Sequence, residues 1–228
     1  MVNPENFRSS GGEEFNTHIN SEAFANGVEF RLAEIDKDAE ELTRLFSQSS
    51  TLPHLSGVTP RRLAENERYY YDNNLNKYPL NTSILTAEPD EIKKYYADNQ
   101  NDFITIVAGD SSKNKGKLLG SVTVIKPSGG LLYGVVSKLV VDEAARGRGL
   151  GTSLVKLANK YIFDNGYWQS YAGIIVNVPG DEGPRKIFAR EGFEAREPIE
   201  PNRCISWDSE AGIFKIREVL LVVLQKEA

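Results

Sequence analysis

The sequence predicts a single α/β domain built on a mixed, mostly antiparallel central sheet with helices on both faces. Three observations support this prediction: short apolar runs of strand type recur along the chain, helical periodicity separates some of them, and one apolar strand leads through a glycine-rich turn into a helix and then another strand. That last order requires one parallel β-α-β pair with a right-handed crossover, whereas the three strands before it are close enough in sequence to be antiparallel.

Composition limits the size of the core and the kinds of partner. A chain of 228 residues can bury one substantial core, and 40% hydrophobic residues with a net charge of −5 argue against bulk binding to nucleic acid or anionic membrane. One cysteine, Cys204, excludes an internal disulfide and a multi-cysteine metal site, and the two histidines are far apart. We therefore expect no metal and no nucleic-acid partner. No apolar run reaches the roughly 18 residues of a membrane span, and no signal-type hydrophobic segment is seen near the N-terminus, so we expect no membrane span and a cytoplasmic location.

The first elements follow from polarity and capping signals. Residues 1–26 are polar and predict a flexible N-terminal tail, so the domain is expected over 27–228. The alternation in 28–32 predicts a strand. Asp36 is the predicted N-cap of the next helix, whose buried face is Ala39, Leu42, Leu45 and Phe46.

The segment 51–100 predicts two further helices. Thr59-Pro60 starts one that continues to about Tyr71, and Glu88-Pro89 starts another that continues to about Asp98. An irregular loop is expected over 73–79. Because this segment is rich in tyrosine and asparagine, it is a candidate wall of a substrate pocket, although tyrosines of this kind also pack helices onto sheets.

The remaining elements are predicted from apolar runs bounded by turn residues. Strands are expected over 103–108, 118–125, a stretch ending at Val141, 172–176, 193–196 and 218–224, with a short helix over 185–190 and a long link over 199–215. A longer helix follows the strand that ends at Val141, with its apolar face at Leu154, Leu157, Ala158, Tyr161 and Ile162 and a C-cap at Asn165-Gly166.

The glycine-rich turn over 146–152 is the strongest functional signal. A strand-to-helix turn leaves unpaired backbone N–H groups at the positive end of the helix dipole, which suits a phosphate. Its glycines allow the backbone to approach an anion closely, and Arg146 and Arg148 add positive charge. The sequence lacks the lysine of a P-loop, and its glycine spacing and mid-chain position differ from those of a Rossmann turn.

The spacing Arg146-x-x-Gly149-x-Gly151 after Leu139-x-Val141 resembles the GNAT superfamily of acyl-CoA-dependent N-acetyltransferases. The later run Arg190-Glu191-Gly192-Phe193 and the order of strands are also similar to that family. The resemblance spans about 28–226 and implies a GNAT-like fold.

The resemblance also implies a set of acetyl-CoA-binding residues. The backbone of Leu139, Val140 and Val141 would pair with the pantetheine arm, and the Val140 and Val141 amides would polarise the thioester carbonyl. The pyrophosphate would lie on the amides of the turn, formed by Arg146, Gly147, Arg148, Gly149, Leu150, Gly151 and Thr152.

The proton-transfer residues depart from the family pattern. Phe188 stands where many members have a tyrosine that protonates the leaving thiolate, and Val135 where some members have a glutamate base. The candidate substitutes are Tyr133, Ser137 and Asp181, with Tyr167 or Tyr171 as further possibilities, and each of them has a structural interpretation as well.

Two functional hypotheses follow. The first is an N-acetyltransferase that transfers an acetyl group to a primary amine of a small molecule, peptide or protein by direct attack in a ternary complex. The alternative is a GNAT-fold module that binds acyl-CoA without catalysis and acts as a sensor or partner-binding protein. Acetyl-CoA and an amine are the expected partners of a monomer or homodimer, with 51–100 and 199–215 shaping the acceptor pocket.

Overall fold

The computed structural model describes residues 27–47, 69–71, 77–79, 89–98, 102–110, 116–126, 131–175, 182–196, 202–208 and 213–225. Within these ranges the strands are β1 (Val28–Leu32), β2 (Tyr69–Tyr71), β3 (Lys77–Pro79), β4 (Phe103–Asp110), β5 (Leu118–Ile125), β6 (Tyr133–Val141), β7 (Gln169–Ile175), β8 (Glu194–Arg196), β9 (Asn202–Asp208) and β10 (Ile213–Gln225). The helices are α1 (Ile35–Ser47), α2 (Pro89–Asp98), α3 (Leu150–Asp164) and α4 (Glu182–Arg190).

The strands form one mixed sheet, which confirms the predicted fold class. Its order is β1-β4-β5-β6-β7-β10-β2-β3, with β8 and β9 also paired to β10. Strands β4, β5 and β6 are successively antiparallel, and β6 pairs with β7 in parallel across α3, as expected. A second parallel pair, between β10 and β2, was not expected.

Each face of the sheet is covered by two helices. On one face, Leu154, Leu157 and Ile162 of α3 and Phe188 of α4 are buried in the main core. On the other, Leu42 and Leu45 of α1 pack against β4, β5 and β6, while α2 contributes Ile92 and Tyr96, both of which are buried. Burial of each such side chain stabilises the packing of its helix on the sheet by roughly 1.5–3 kcal/mol.

The helix after β1 begins earlier than predicted, and Asp36 is not its N-cap. The helix begins at Ile35, and the carboxylate of the buried residue Asp38 accepts the Glu34 N–H at 2.7 Å. The same carboxylate pairs with Arg31 of β1 through two bonds of 2.6 and 2.7 Å. A single buried aspartate therefore both ties the helix start and fixes the helix to the strand, which is why the exposed residue Asp36 is not needed as a cap.

Two irregular stretches of the prediction are strands. Tyr69–Tyr71 pairs with Lys77–Pro79 as an antiparallel ladder, so the expected helix does not continue to Tyr71 and 77–79 is not a loop. The expected link over 199–215 contains β9 and the start of β10, which form an antiparallel pair. Hydrogen bonding to β10, distant in sequence from β2, supplies order that local periodicity does not reveal. The predicted tail over 1–26 and the start of the helix at 59–68 lie outside the described residues.

Candidate functional site

The parallel strands β6 and β7 pair along only part of their length. Their register runs from Tyr133 opposite Gln169 to Val136 opposite Ala172. Beyond these positions β6 continues to Val141, paired there with β5, and β7 continues to Ile175, paired with β10. In this described region the β7-facing backbone of 137–141 has no partner strand, so it offers hydrogen-bonding groups to an extended ligand.

A β-bulge in β6 lies where the two strands stop pairing. Ser137 is opposite Thr123 and Val140 is opposite Ser121, so Lys138 and Leu139 together face the single residue between those partners. Lys138 has φ of 48°, and of the described non-glycine residues it alone has a positive φ. The bulge therefore marks a strained backbone position directly before Leu139, Val140 and Val141.

The bulge also sorts the side chains of β6 between the two faces. Gly134 and Val136 face α3, since a Cβ at Gly134 would meet Ile162 and Val136 belongs to the main core. Alternation puts Tyr133, Val135 and Ser137 on the opposite face, which carries α1 and α2. Lys138 reaches rings on α1 and α2, so the extra residue puts two successive polar side chains on that face.

A buried carboxylate anchors the start of the glycine-rich loop. Asp142 accepts the Ala144 N–H at 3.0 Å and a bond from Arg44 of α1 at 2.5 Å, and Lys117 lies 3.8 Å away. Burial alone would raise the pKa of Asp142, but the bonds from Arg44 and the backbone outweigh it and lower the pKa. Arg44 also donates to the Leu118 carbonyl at 2.6 Å, so the loop is attached to both α1 and β5.

The loop itself forms an open cradle at the N-terminus of α3. Gly147 and Gly149 have φ of 77° and 80°, and a Cβ at either position would have nothing within 4 Å. Gly149 is the N-cap of α3, and no side chain caps that helix. The first-turn amides of a 15-residue helix thus meet open space beside the exposed side chains of Arg146 and Arg148, an arrangement that fits a phosphate group.

The remaining predicted binding residues have distinct environments. Leu150 and Gly151 are buried, and a Cβ at Gly151 would come within 2.7 Å of Ile187 in α4. The third glycine of the motif therefore lets α3 approach α4 closely, since a Cβ there would push the end of the Ile187 side chain aside. Thr152 is half-buried in the first turn of the same helix.

The predicted proton-transfer residues are only partly brought together. Tyr133 and Tyr171 pack with ring centroids 4.9 Å apart, and the Tyr171 hydroxyl donates to Gln169 at 2.9 Å. Ser137 is half-buried beside the bulge. Burial raises the pKa of Tyr167. Asp181 lies outside the described residues.

Phe188 is a core residue. It is buried and packs edge-on against Phe193, with ring centroids 5.0 Å apart and an interplanar angle of 77°. Its ring offers no proton-donating group, and a tyrosine hydroxyl there would require a buried hydrogen-bond partner.

Sequence reasoning missed Lys138, an ionisable residue beside the proposed binding backbone. Its Nζ lies 5.7 Å from the ring centroid of Phe46, 5.3 Å from that of Tyr96 and 5.9 Å from that of Phe103. Burial among these surroundings lowers the pKa of Lys138 to about 8, although its side chain still reaches solvent. The available signal was the adjacent polar pair Ser137-Lys138, which breaks the alternation of an otherwise apolar strand.

Among the described residues, no helix is long and apolar enough to cross a membrane, and no group of three or more His, Cys, Asp or Glu side chains is placed to hold a metal ion.

Comparison with known proteins gives one family and a large set of similar folds. The sequence model of the acetyltransferase (GNAT) family matches residues 68–193. The solved yncA of Salmonella typhimurium, determined with its cofactor acetyl-CoA, is 14% identical, covers 89% of this chain and 95% of its own, and has a TM-score of 0.57. No curated protein matches.

Two further structures have different named substrates. The ribosomal-protein-S5-alanine acetyltransferase of Vibrio fischeri is 17% identical, with 90% of this chain and 96% of that chain covered and a TM-score of 0.56. Mutant forms of the spermidine/spermine N-acetyltransferase SpeG of Vibrio cholerae are 13% identical, with 87% and 94% covered and a TM-score of 0.56. At these identities the likeness is one of fold.

Proposed function

The chain belongs to the GNAT family of acetyltransferases, and from this membership we propose that it transfers the acetyl group of acetyl-CoA to a primary amine by direct attack in a ternary complex. The observation that carries the proposal is the open cradle at the N-terminus of α3, beside the backbone of β6 that β7 leaves unpaired. An anion site and an extended-chain site are thus adjacent, as a long ligand with a phosphate-bearing end requires.

In this proposal acetyl-CoA is bound mainly by backbone groups of the chain. The amides from Arg146 to Thr152 hold the pyrophosphate, with Arg146 and Arg148 adding charge at the surface. The backbone of Leu139, Val140 and Val141 hydrogen-bonds the pantetheine arm along the open edge of β6. Acetyl-CoA supplies the activated acetyl thioester when bound. Successive strand amides point to opposite edges and the Asp142 N–H donates to Leu119 of β5, so of Val140 and Val141 the Val141 amide is the one directed away from β5, and we propose that it stabilises negative charge on the carbonyl oxygen.

The acceptor amine is proposed to approach from the face of the sheet that carries α1 and α2. The polar and ionisable groups described there are Tyr133, Ser137 and Lys138 of β6 and Tyr171 of β7. The proposed acceptor is a primary amine of a small molecule, a peptide or a protein.

A second candidate function is an acyl-CoA-binding module without turnover. The observation that favours it is the burial of Phe188 against Phe193, because the position that supplies a proton donor in many family members here supplies core packing. Such a module would use the same cradle and the same edge of β6, and would respond to acyl-CoA by changing its contacts with a partner.

Two matched glycine variants test the site. Gly149→Glu puts a carboxylate into the cradle, whereas Gly166→Glu makes the same change at the other end of α3, at a position with φ of 83° and nothing within 4 Å of a Cβ. Both variants impose the same kind of backbone strain, about 1–2 kcal/mol. We expect Gly149→Glu to lose acetyl-CoA affinity in calorimetric titrations and Gly166→Glu to retain it.

Steady-state release of CoA with a panel of primary amines separates the two functions. Turnover on any amine, lost in Gly149→Glu and kept in Gly166→Glu, supports the transferase. Tight acetyl-CoA binding without turnover on any amine supports the module. Equal affinity of the two glycine variants for acetyl-CoA would contradict both, because both place the ligand on the cradle.

A further inference from the structure

We propose that Lys138 is a self-acetylation site, whose ε-amino group accepts the acetyl group of bound acetyl-CoA when no other amine occupies the acceptor face. The proposal rests on the proposed function, because it needs acetyl-CoA in the cradle and along β6. It assigns to this chain a covalent modification and a residue that the sequence motif does not include.

The backbone of Lys138 places it next to the proposed thioester site. It is the first residue of the bulge and directly precedes Leu139, Val140 and Val141, whose backbone is proposed to bind the pantetheine arm. A left-handed φ costs a lysine about 1–2 kcal/mol, and strain of this kind concentrates at functional sites. The side chain that this conformation re-aims faces the proposed acceptor side of the sheet.

Three aromatic rings from three different elements hold the amine in place. Phe46 belongs to α1, Tyr96 to α2 and Phe103 to β4, and all three ring centroids lie within 6 Å of the Lys138 Nζ. The Tyr96 ring is fixed, because its hydroxyl bonds Thr123 at 3.1 Å, and Thr123 in turn bonds Thr105 at 2.9 Å. The rings therefore position the amine beside the sheet, although Lys138 as a whole residue is exposed.

Desolvation of the side chain makes the amine more reactive. Only a neutral amine has the lone pair needed for attack on a thioester, and an ordinary lysine with a pKa near 10.4 is almost entirely charged at neutral pH. With its pKa lowered to about 8 by burial, Lys138 is neutral in about one molecule in ten at pH 7 and in about half of the molecules at pH 8. Burial of Tyr96 raises the pKa of its phenol, so the ring beside the amine stays uncharged.

The covalent step balances without another reagent. The Nζ lone pair of Lys138 forms a bond to the carbonyl carbon, the carbon–sulfur bond breaks, and the electron pair leaves on sulfur. The proton lost from the nitrogen is taken up by solvent. The CoA thiolate leaves and takes up a proton from solvent to become the CoA thiol. The product is N-acetyl-lysine, which carries no charge and no longer attacks a second acetyl-CoA.

Lys126 is an internal control for lysine reactivity. Burial lowers its pKa as well, but it follows the end of β5 that pairs with Val135, whereas the glycine-rich loop follows the end of β6 that pairs with Gly120. A lysine that reacts only because it is partly neutral would include Lys126. A lysine that reacts because acetyl-CoA is bound beside it would not.

The test is site-resolved mass spectrometry of the full chain incubated with acetyl-CoA and no amine, with acetic anhydride as a donor that needs no binding site. We expect acetyl-CoA to label Lys138 faster than Lys126 by about tenfold or more, because a bound donor raises its effective concentration at one amine. Acetic anhydride reports the intrinsic reactivity of each lysine, and its preference for Lys138 over Lys126 should be much smaller than that of acetyl-CoA. Lys138→Arg should remove the fast label, and Lys126→Arg should leave it.

A second variant guards against misfolding of the first. Phe46→Leu removes one ring of the cage but keeps Lys138, and is expected to slow acetyl-CoA labelling of Lys138 several-fold while acetyl-CoA binding is unchanged. Equal labelling of Lys138 and Lys126 by acetyl-CoA, or normal binding with no label on Lys138, would overturn the self-acetylation proposal alone. If the unaltered chain does not bind acetyl-CoA, the proposed function and this inference are overturned together.

Discussion

The ion pair between Arg44 and Asp142 is expected to stabilise both the fold and the start of the glycine-rich loop. The Asp142 side chain is 5% exposed and the Arg44 side chain 30% exposed, with 2.5 Å between the bonded atoms. A hydrogen bond between charged groups contributes about 1.5–3 kcal/mol. Because Arg44 keeps its contacts with Glu41 at 2.9–3.1 Å, we expect Asp142→Asn to lower the free energy of unfolding by about 2 kcal/mol.

Removal of the arginine should be more costly than removal of the charge on the aspartate. Arg44→Ala leaves the Asp142 carboxylate buried beside Lys117 at 3.8 Å and the Ala144 N–H, and deprives the Leu118 carbonyl of the Arg44 donor. We expect a loss of about 3 kcal/mol, at the lower end for a broken buried pair because Arg44 is partly exposed. The double variant should lose about 1.5 kcal/mol less than the sum of the two.

Urea unfolding of the four proteins gives the coupling energy directly. Asp164→Asn is the control, because Asp164 pairs with Lys160 at 3.1 Å on the exposed side of α3, where a loss below about 1 kcal/mol is expected. If the single-variant losses for Arg44 and Asp142 add to within about 0.5 kcal/mol of the double-variant loss, the two side chains are not coupled and the reasoning is refuted.

The same pair predicts a dependence of stability on pH. The pKa of Asp142 is lowered in the folded state, so its contribution is complete above the ordinary aspartate value of about 4 and is lost as the pH falls through the lower folded-state pKa. Asp142→Asn should therefore destabilise the chain at neutral pH and have a smaller effect under acidic conditions.

A pair of glycine variants tests packing, and a lysine variant tests titration. Gly134→Ala puts a Cβ 2.7 Å from the Ile162 Cγ1 and should lower the free energy of unfolding, measured in urea, by about 1–3 kcal/mol. In the control variant Gly183→Ala the added Cβ has nothing within 4 Å, so the free energy of unfolding should stay unchanged or rise by up to about 1 kcal/mol. The folded-state pKa of Lys138 is about 8 and lies below its unfolded value, so between about pH 8 and about pH 10 the unfolded chain binds more protons and stability rises with pH. Lys138→Met should reduce that rise, measured as the shift of the urea midpoint with pH. An unchanged rise would contradict the lowered pKa of Lys138.

The parts of the fold that were predictable from sequence are those in which local pattern and tertiary partner agree. Strand β1 and strand β5 have the predicted bounds, because alternation in β1 and a mostly apolar, β-branched run in β5 coincide with burial. Helix α3 ends at the predicted Asn165-Gly166 cap, where Gly166 has φ of 83°. Strand β2 could not be predicted, since what orders it is pairing with β10, far away in the chain. Strand β9 pairs with the next strand, β10, but Asn202–Asp208 contains no continuous apolar run that would have marked it as a strand.

The site divides in the same way. The loop was predictable because an anion cradle is local: a strand end, two glycines with positive φ and an uncapped helix follow one another in sequence. The bulge was not, because it is a mismatch of register between β5 and β6 and neither strand alone encodes it. The rings around the Lys138 Nζ could not be predicted either, because Phe46, Tyr96 and Phe103 come from three separate elements, α1, α2 and β4.

The chemistry of Phe188 and that of Lys138 together lead to an expectation about proton transfer. Phe188 has no ionisable group and packs in the core on the face of α3 and α4, so in a catalytic chain it cannot supply a proton. Lys138, on the face of α1 and α2, is ionisable and has a pKa lowered toward neutrality. If it takes part in turnover, acetylation removes that part along with its charge, and chain already acetylated at Lys138 should transfer acetyl groups to amines more slowly than unlabelled chain. If labelled and unlabelled chain turn over equally fast, Lys138 accepts an acetyl group but does not serve the reaction of other amines.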